Sequence, residues 1–208
     1  ATGQTISTER TGSFQAARNF FAGDSLSTAA VAATAVLTVA AMAIETQAPV
    51  FGLFVGLSEA WIGLMISMIP LTTLLTVLVV PTKPQDELLL TVGFGAATFA
   101  AIGAAVAFAI GGADIISFLG YAGIGVAFGA SIVANIVVGR RLPTTGRAAV
   151  MSVIQGAIFA SLSAGAILGG VLSDLTNVRA ANVTCAMVVS FAGIAAVAYS
   201  RLHAARDC

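Results

Sequence analysis

Long apolar stretches alternate with short polar connections along most of this chain. Each stretch is close to the ~20 residues that an α-helix needs to cross the hydrocarbon core of a bilayer. The pattern predicts an all-α membrane protein with six transmembrane helices, at about 29–50, 60–81, 88–110, 114–138, 148–172 and 181–202. Residues 1–25 are then a polar tail or linker, residues 26–203 the transmembrane domain, and residues 204–208 a short C-terminal tail.

The lysines and arginines sort by side of the predicted membrane. One side holds a single cation, Arg179, and the other side holds the remaining eight. Cytoplasmic connections of membrane proteins carry an excess of Lys and Arg, so we expect both termini in the cytoplasm and a multi-pass protein of the plasma (inner) membrane. The eight are Arg10, Arg18, Lys83, Arg140, Arg141, Arg147, Arg201 and Arg206.

Composition narrows the class of protein further. Hydrophobic residues make up 58% of the 208 residues and charged residues only 9%, far below the roughly 25% of a soluble domain. The net charge of zero gives no electrostatic case for binding nucleic acid. Two cysteines do not form a disulfide framework, and no cluster has metal-ligand spacing or a nucleophile motif. We therefore expect neither an enzyme nor a bound cofactor or metal.

Local signals give the expected ends of the first two helices. Ser25 or Ser27 is the candidate N-cap of the first helix, which we expect to leave the membrane near Pro49. Ser58 and Glu59 read as the start of the second helix, with an acid at the positive end of the helix dipole.

Pro70 lies inside the second predicted helix, where its missing N–H frees a backbone carbonyl. Thr72, Thr73 and Thr76 follow within two turns. Their hydroxyls are candidates to satisfy the freed backbone or to contact a polar substrate.

Glu45 is the side chain most suggestive of chemistry, because an ionisable group within a span normally faces a cavity or a partner. Thr34 and Thr38 precede it at spacings that place all three on one helix face. A buried carboxylate that exchanges protons near neutral pH would make this stripe part of a substrate or proton pathway. The alternative is that Glu45 reaches the outer interface and solvates the helix end.

The fifth predicted helix has two distinct faces. Ser161, Gly165 and Gly169 form a ridge of small residues at four-residue spacing, which suits close helix packing. The roughly opposite face carries Ser152, Gln155 and Ser163, which are candidates to line a substrate path. The alternative for the serines is a hydrogen bond back to a carbonyl of their own helix.

Residues 140–181 resemble part of the C-terminal half of a major facilitator superfamily transporter. This segment begins with a basic loop that contains Pro143, and Gly146-Arg147-Ala148 then opens a glycine-containing helix. Asp174 follows that helix, and Arg179-Ala180-Ala181 opens the last span. Residues 56–63, Gly-Leu-Ser-Glu-Ala-Trp-Ile-Gly, resemble the start of the eighth helix of that family. The resemblance covers residues 26–203 and implies helices seven to twelve, built as two inverted three-helix repeats. It also implies a site shared with a second six-helix half.

The connection between the second and third helices departs from the family pattern. Residues 80–87 read Val-Pro-Thr-Lys-Pro-Gln-Asp-Glu and lack a glycine–arginine run, and we expect Lys83 and Asp86 to keep a remnant of its charge pairing. On the same side, Arg140, Arg141 and Arg147 are expected to set the topology and to pair with acids at an inner gate.

These observations favour a secondary active transporter, or half of one, that moves a small organic solute by alternating access, with proton-coupled efflux as the preferred direction. The alternatives are a non-transporting six-helix membrane protein with a structural or assembly role, or a channel. The expected partners are membrane lipid, the solute and a second six-helix half, supplied by the same chain upstream, by another chain or by a second copy.

Overall fold

The computed structural model describes residues 15–79, 85–112, 115–142, 144 and 146–204. Apart from the short helical run 15–23, this part of the chain forms six long helices and contains no β-strand. All six are long and apolar enough to cross a membrane, so the protein is an integral, multi-pass membrane protein. The helices are α1 (Ser25–Phe54), α2 (Glu59–Val79), α3 (Asp86–Ile110), α4 (Ile115–Arg141), α5 (Arg147–Leu175) and α6 (Val178–Ala204).

The predicted N-cap of the first helix, Ser25 or Ser27, was wrong. Asp24 is the N-cap of α1, because its carboxylate accepts from the Ser27 amide at 3.1 Å and from the Ser27 hydroxyl at 2.8 Å. α1 continues through Pro49 to Phe54, and the expected exit from the membrane near Pro49 stays a prediction. Membrane helices tolerate an internal proline because neighbouring groups can compensate for the lost backbone bond. The predicted start of α2 at Glu59 is confirmed.

Four helices form a closed ring. α1 packs against α4, α4 against α3, α3 against α6, and α6 returns to α1. The other two helices flank this ring, α2 lying mainly along α4 and α5 mainly along α1. α2 and α5 consequently bury the smallest share of their residues. One side of the bundle thus presents α2, α4, α1 and α5 in that order, and we call it the front face.

Successive helices run in opposite directions, so the bundle has two distinct ends. The basic end contains the starts of α1, α3 and α5 and the ends of α2, α4 and α6, and it includes Arg140, Arg141, Arg147 and Arg201. The opposite end contains the α1–α2 connection and Arg179.

An aromatic cluster joins the ring helices near the opposite end. Phe51 of α1, Phe108 of α3 and Tyr121 of α4 are fully buried, with ring centroids 5.1–6.0 Å apart. Asn182 of α6 is 1% exposed and donates from Nδ2 to the Tyr121 hydroxyl at 3.4 Å. Such aromatic contacts add to the stabilisation from burial, so this cluster ties all four ring helices together.

Candidate functional site

Glu45 lies half-buried at a cavity of about 380 Å³ on the front face. The cavity is bounded by α1, α2 and α4, and Glu45 is the one acid among its walls. Its other walls are apolar apart from Thr73, and they comprise Ile69, Pro70, Leu74, Val77, Phe128 and Ile132. The structure therefore brings Glu45 and Thr73, two residues singled out in the sequence, to one space.

The cavity exists because α1 and α2 diverge. The two helices meet near the opposite end, where Gly52 leaves room for the Ile62 side chain. From there α2 follows α4 rather than α1, and the close approach depends on Gly125 and Gly129 of α4. Small residues allow such close contact between membrane helices. The Glu45 cavity lies in the gap between α1 and α2, with α4 as its third wall.

Hydrogen bonds from threonines fix α2 against α4. Thr73 donates from Oγ1 to the Gly125 carbonyl at 2.9 Å, and Thr72 donates to the Ala122 carbonyl at 2.9 Å. The single Thr72 proton is shared with the Met68 carbonyl of its own helix, which lies 2.7 Å from Oγ1. Pro70 leaves the Ile66 carbonyl without a partner in the helix. Neither of these two threonines donates to that carbonyl. The Thr73 hydroxyl serves helix packing at the edge of the cavity, and it retains lone pairs that can accept a hydrogen bond.

The other two members of the α1 stripe lie deeper in the bundle. Thr34 is 1% exposed and Thr38 is 2% exposed, and neither lines the Glu45 cavity. The Thr34 hydroxyl has no hydrogen-bond partner within the described part of the chain. An unsatisfied buried hydroxyl costs about 1–3 kcal/mol. The polar face of α1 therefore runs from the cavity into the packed interior towards the basic end.

An ionic cluster holds the basic end. Arg141 binds Asp24 through Nε at 2.8 Å and approaches Asp86 at 3.9 Å, and Arg140 approaches the same Asp86 at 3.9 Å. The cluster thereby links the start of α1 and the start of α3 to the end of α4. The Asp24–Arg141 pair is the tightest of these contacts, and the two 3.9 Å contacts are weaker and partly exposed.

Asp24 was missed in the sequence analysis. An Asp before an apolar run, with Ser27 three residues later, is a typical N-cap pattern that identifies this residue. Partial burial acts to raise the pKa of Asp24, but hydrogen bonds from Arg141 and Ser27 outweigh it, so the pKa of this carboxyl lies below its ordinary value. Asp24 is consequently ionised and paired at neutral pH.

The remaining gating residues lie around the same end. Arg147 donates from Nη2 to the Gly139 carbonyl at 2.8 Å, which bridges α5 to the last turn of α4. A cation near the C-terminal end of a helix is favoured by the helix dipole. Lys83, predicted to keep a remnant of the loop charge pairing, lies outside the described residues.

The small-residue ridge of α5 faces α1. Ser161, Gly165 and Gly169 are buried, and added Cβ atoms on the two glycines would meet the α1 backbone at Val39 and Ala43. The ridge therefore packs α5 closely against α1, as a helix-packing role requires.

The second face of α5 lies away from this ridge. Ser152, Gln155 and Ser163 are exposed and are not among the walls of the Glu45 cavity. The Ser152 hydroxyl donates to Ala149 at 2.8 Å and the Ser163 hydroxyl to Phe159 at 3.1 Å, both within α5. The two serines thus make the local hydrogen bond that the sequence left open as the alternative.

Arg179 has a structural role that its sequence position did not reveal. From the start of α6 it donates to the carbonyls of Ala109 and Gly111, at 3.3 and 2.8 Å, and so caps the end of α3. Its guanidinium lies 5.5 Å from the centroid of the Phe54 ring at the end of α1. This single cation therefore holds three helix ends together.

Comparison of the chain with models of known protein families, with characterised proteins and with solved structures finds no match. The resemblance to the major facilitator superfamily accordingly stays an expectation from sequence pattern.

Proposed function

We propose that the chain is a secondary active transporter, or half of one, which moves a small organic solute by alternating access, with proton-coupled efflux as its direction. The observation that carries this proposal is the Glu45 carboxyl, half-buried within a span and bordering a cavity on the front face. Ionisable groups at such depth are expensive and usually mark an ion or substrate pathway. An apolar cavity with one acid suits neutral or amphiphilic solutes better than anions.

The helix contacts support an arrangement of two inverted three-helix repeats. In such an arrangement α1, α2 and α3 correspond to α4, α5 and α6, respectively. The contact of α1 with α5 then corresponds to the contact of α4 with α2, and both contacts are extensive. The contact of α1 with α6 likewise corresponds to the contact of α4 with α3, and both contacts are extensive. The smaller contacts, α1 with α2 and α5 with α6, have no counterpart of similar extent. Transporters built from inverted repeats place their site near the membrane midplane at a repeat interface.

The front face is the surface proposed for the second six-helix half. α2 and α5 border it, and they are the two helices with the least burial. A second half would close the Glu45 cavity into an enclosed path, whether it comes from the same chain, another chain or a second copy. The excess of arginine at the basic end supports a cytoplasmic position for that end in the plasma (inner) membrane. Native mass spectrometry of the protein extracted from its membrane tests this assembly, and a strict six-helix monomer would contradict it.

Proton coupling is tested in proteoliposomes that carry a trapped pH dye, while a panel of neutral and amphiphilic solutes is added. We expect at least one solute to drive saturable proton movement, and we expect Glu45→Gln to abolish it. Glu59→Gln is the matched control, because Glu59 is exposed at the start of α2 and outside the cavity. Undiminished coupling in a folded Glu45→Gln protein would remove Glu45 as the proton carrier. Flux that never saturates would indicate a channel.

A structural or assembly role is the second candidate. It is favoured by the hydroxyls of Thr73, Ser152 and Ser163, which all donate to helix carbonyls. Polar positions used in this way stabilise a bundle without contacting a solute. Absence of any solute-driven proton movement across the panel, in protein that is folded and correctly assembled, would favour this role.

A further inference from the structure

A second lateral groove runs between α3 and α6, on the side of the ring away from the front face. Its volume is about 430 Å³, and its walls include Gly95 and Phe99 of α3 and Ile194, Val197, Ala198 and Arg201 of α6. Phe99 is 79% exposed and Ile194 is 50% exposed, so the groove is open to the surroundings of the bundle. In a membrane, those surroundings are lipid.

The groove is apolar along its length and ends in a cation. From Ile194 to Arg201, α6 rises by about 10 Å, which is comparable to the ~15 Å depth of one leaflet of the hydrocarbon core. Arg201 lies in the last turn of α6 at the basic end, whereas Ile194 lies deeper towards the middle of the bundle. The groove thus presents its charge at the level of the lipid headgroups and its apolar wall at the level of the acyl chains.

Arg201 also differs from the other arginines in the six long helices. Arg140 and Arg141 approach acids, and Arg147 and Arg179 donate to backbone carbonyls. The exposed Arg201 makes no ion pair or hydrogen bond with the residues that the structure describes. Within that described part of the chain, no group competes with an outside anion for its guanidinium.

We propose that this groove binds one anionic phospholipid from the leaflet at the basic end. The lipid phosphate pairs with the Arg201 guanidinium, and one acyl chain lies along the groove. Gly95 lines the groove, and a Cβ added there would meet nothing within 4 Å, so this position leaves space for an acyl chain. Basic pockets between membrane helices are a recurrent form of anionic lipid recognition. The proposal does not depend on transport and holds for a structural protein equally well.

Native mass spectrometry in mild detergent tests the site, with phosphatidylglycerol compared against phosphatidylcholine. One cation near the membrane surface gives about fivefold tighter binding of an anionic lipid. We expect this preference for a single phosphatidylglycerol in the wild-type protein. Arg201→Gln should remove the preference, whereas Arg201→Lys should retain most of it. Arg18→Gln, which removes another exposed cation near the same end, should leave the preference unchanged.

The acyl-chain part of the site is tested by filling the groove. Gly95→Leu should weaken retention of both lipids severalfold, because the new side chain would take up space within the groove that Gly95 lines. Gly103→Leu is the matched control, since it makes the same change in α3 at a position that is also open and lies outside the groove.

Three results would overturn the proposal. The first is equal retention of the two lipids by the wild-type protein, which needs no variant to fold. The second is unchanged phosphatidylglycerol retention in both Arg201→Gln and Gly95→Leu. The third is displacement of phosphatidylglycerol by millimolar inorganic phosphate, which would assign Arg201 to free phosphate instead of a lipid.

Discussion

The contact between α5 and α1 can be tested by adding a single methyl group to each of two glycines. Gly165 faces α1, and a Cβ there would lie 2.8 Å from the Met42 Cβ and closer still to the Val39 carbonyl oxygen. Gly170 lies on the same helix, but a Cβ there would meet nothing within 4 Å. Gly165→Ala and Gly170→Ala are therefore chemically identical changes that differ only in their surroundings.

Because the two substitutions are identical, the expected difference in their free energy of unfolding comes from their surroundings alone. Replacing a helical glycine by alanine gains about 0.5–1 kcal/mol from lower backbone entropy in the unfolded chain, and both variants share this gain. Only Gly165→Ala pays for overpacking, which costs about 1–3 kcal/mol in a well-packed interior. The backbone of Val39 cannot rotate away as a flexible side chain would. We therefore expect Gly165→Ala to be less stable than Gly170→Ala by about 1–3 kcal/mol.

Thermal unfolding of the two purified variants in the same detergent measures this difference. For a chain of this length, 1 kcal/mol corresponds to roughly 2–4 °C in the unfolding midpoint. The midpoint of Gly165→Ala should thus lie about 2–12 °C below that of Gly170→Ala. Equal midpoints, or a higher one for Gly165→Ala, would refute the packing of the α5 ridge against α1.

Two further predictions concern polar contacts. Asp24→Asn keeps a good N-cap residue but loses the charge that pairs with Arg141, so stability at pH 7 should fall by at most about 1 kcal/mol. Because the folded-state pKa of Asp24 is lowered, its contribution is present above the ordinary pKa of 3.8 and is lost as pH falls through the folded-state value. The unfolding midpoints of wild type and variant should therefore converge in acid, and a persistent gap would contradict this. Thr73→Val removes the donor to the Gly125 carbonyl and should cost about 0.6 kcal/mol. Ser67→Ala, which loses only a bond within α2, should cost less, and equal losses would argue against the interhelical bond.

The sequence predicted the positions of the helices far better than it predicted which helices pack against each other. The third span was expected at 88–110 and α3 runs over Asp86–Ile110, because the length of an apolar stretch is a local property that the bilayer thickness fixes. α1 continues through Pro49 to Phe54 because a proline that would end a soluble helix can remain inside a membrane helix.

The candidate site was predicted only in part. Glu45 stood out because a charge within a span is rare, but nothing local indicated that Thr73 would border the same cavity. Asp24 and Arg141 are 117 residues apart in the chain and form the tightest ion pair of the basic end. Ser152 and Ser163 share a face of α5, yet their hydroxyls turn back to their own helix.

The sequence by itself determined that the protein is helical, that it has six spans, and which side of them is basic. It did so because hydrophobic length and the distribution of charge are read directly along the chain. The tertiary structure alone decided that α1, α4, α3 and α6 close a ring and that α2 and α5 flank it. Helices that are apolar on every side carry little periodic signal to mark a packed face. Their partners are instead chosen by close backbone approach at residues such as Gly125 and Gly165 and by interhelical hydrogen bonds. The energy of those contacts depends on which helices meet, and that information is not local in the sequence.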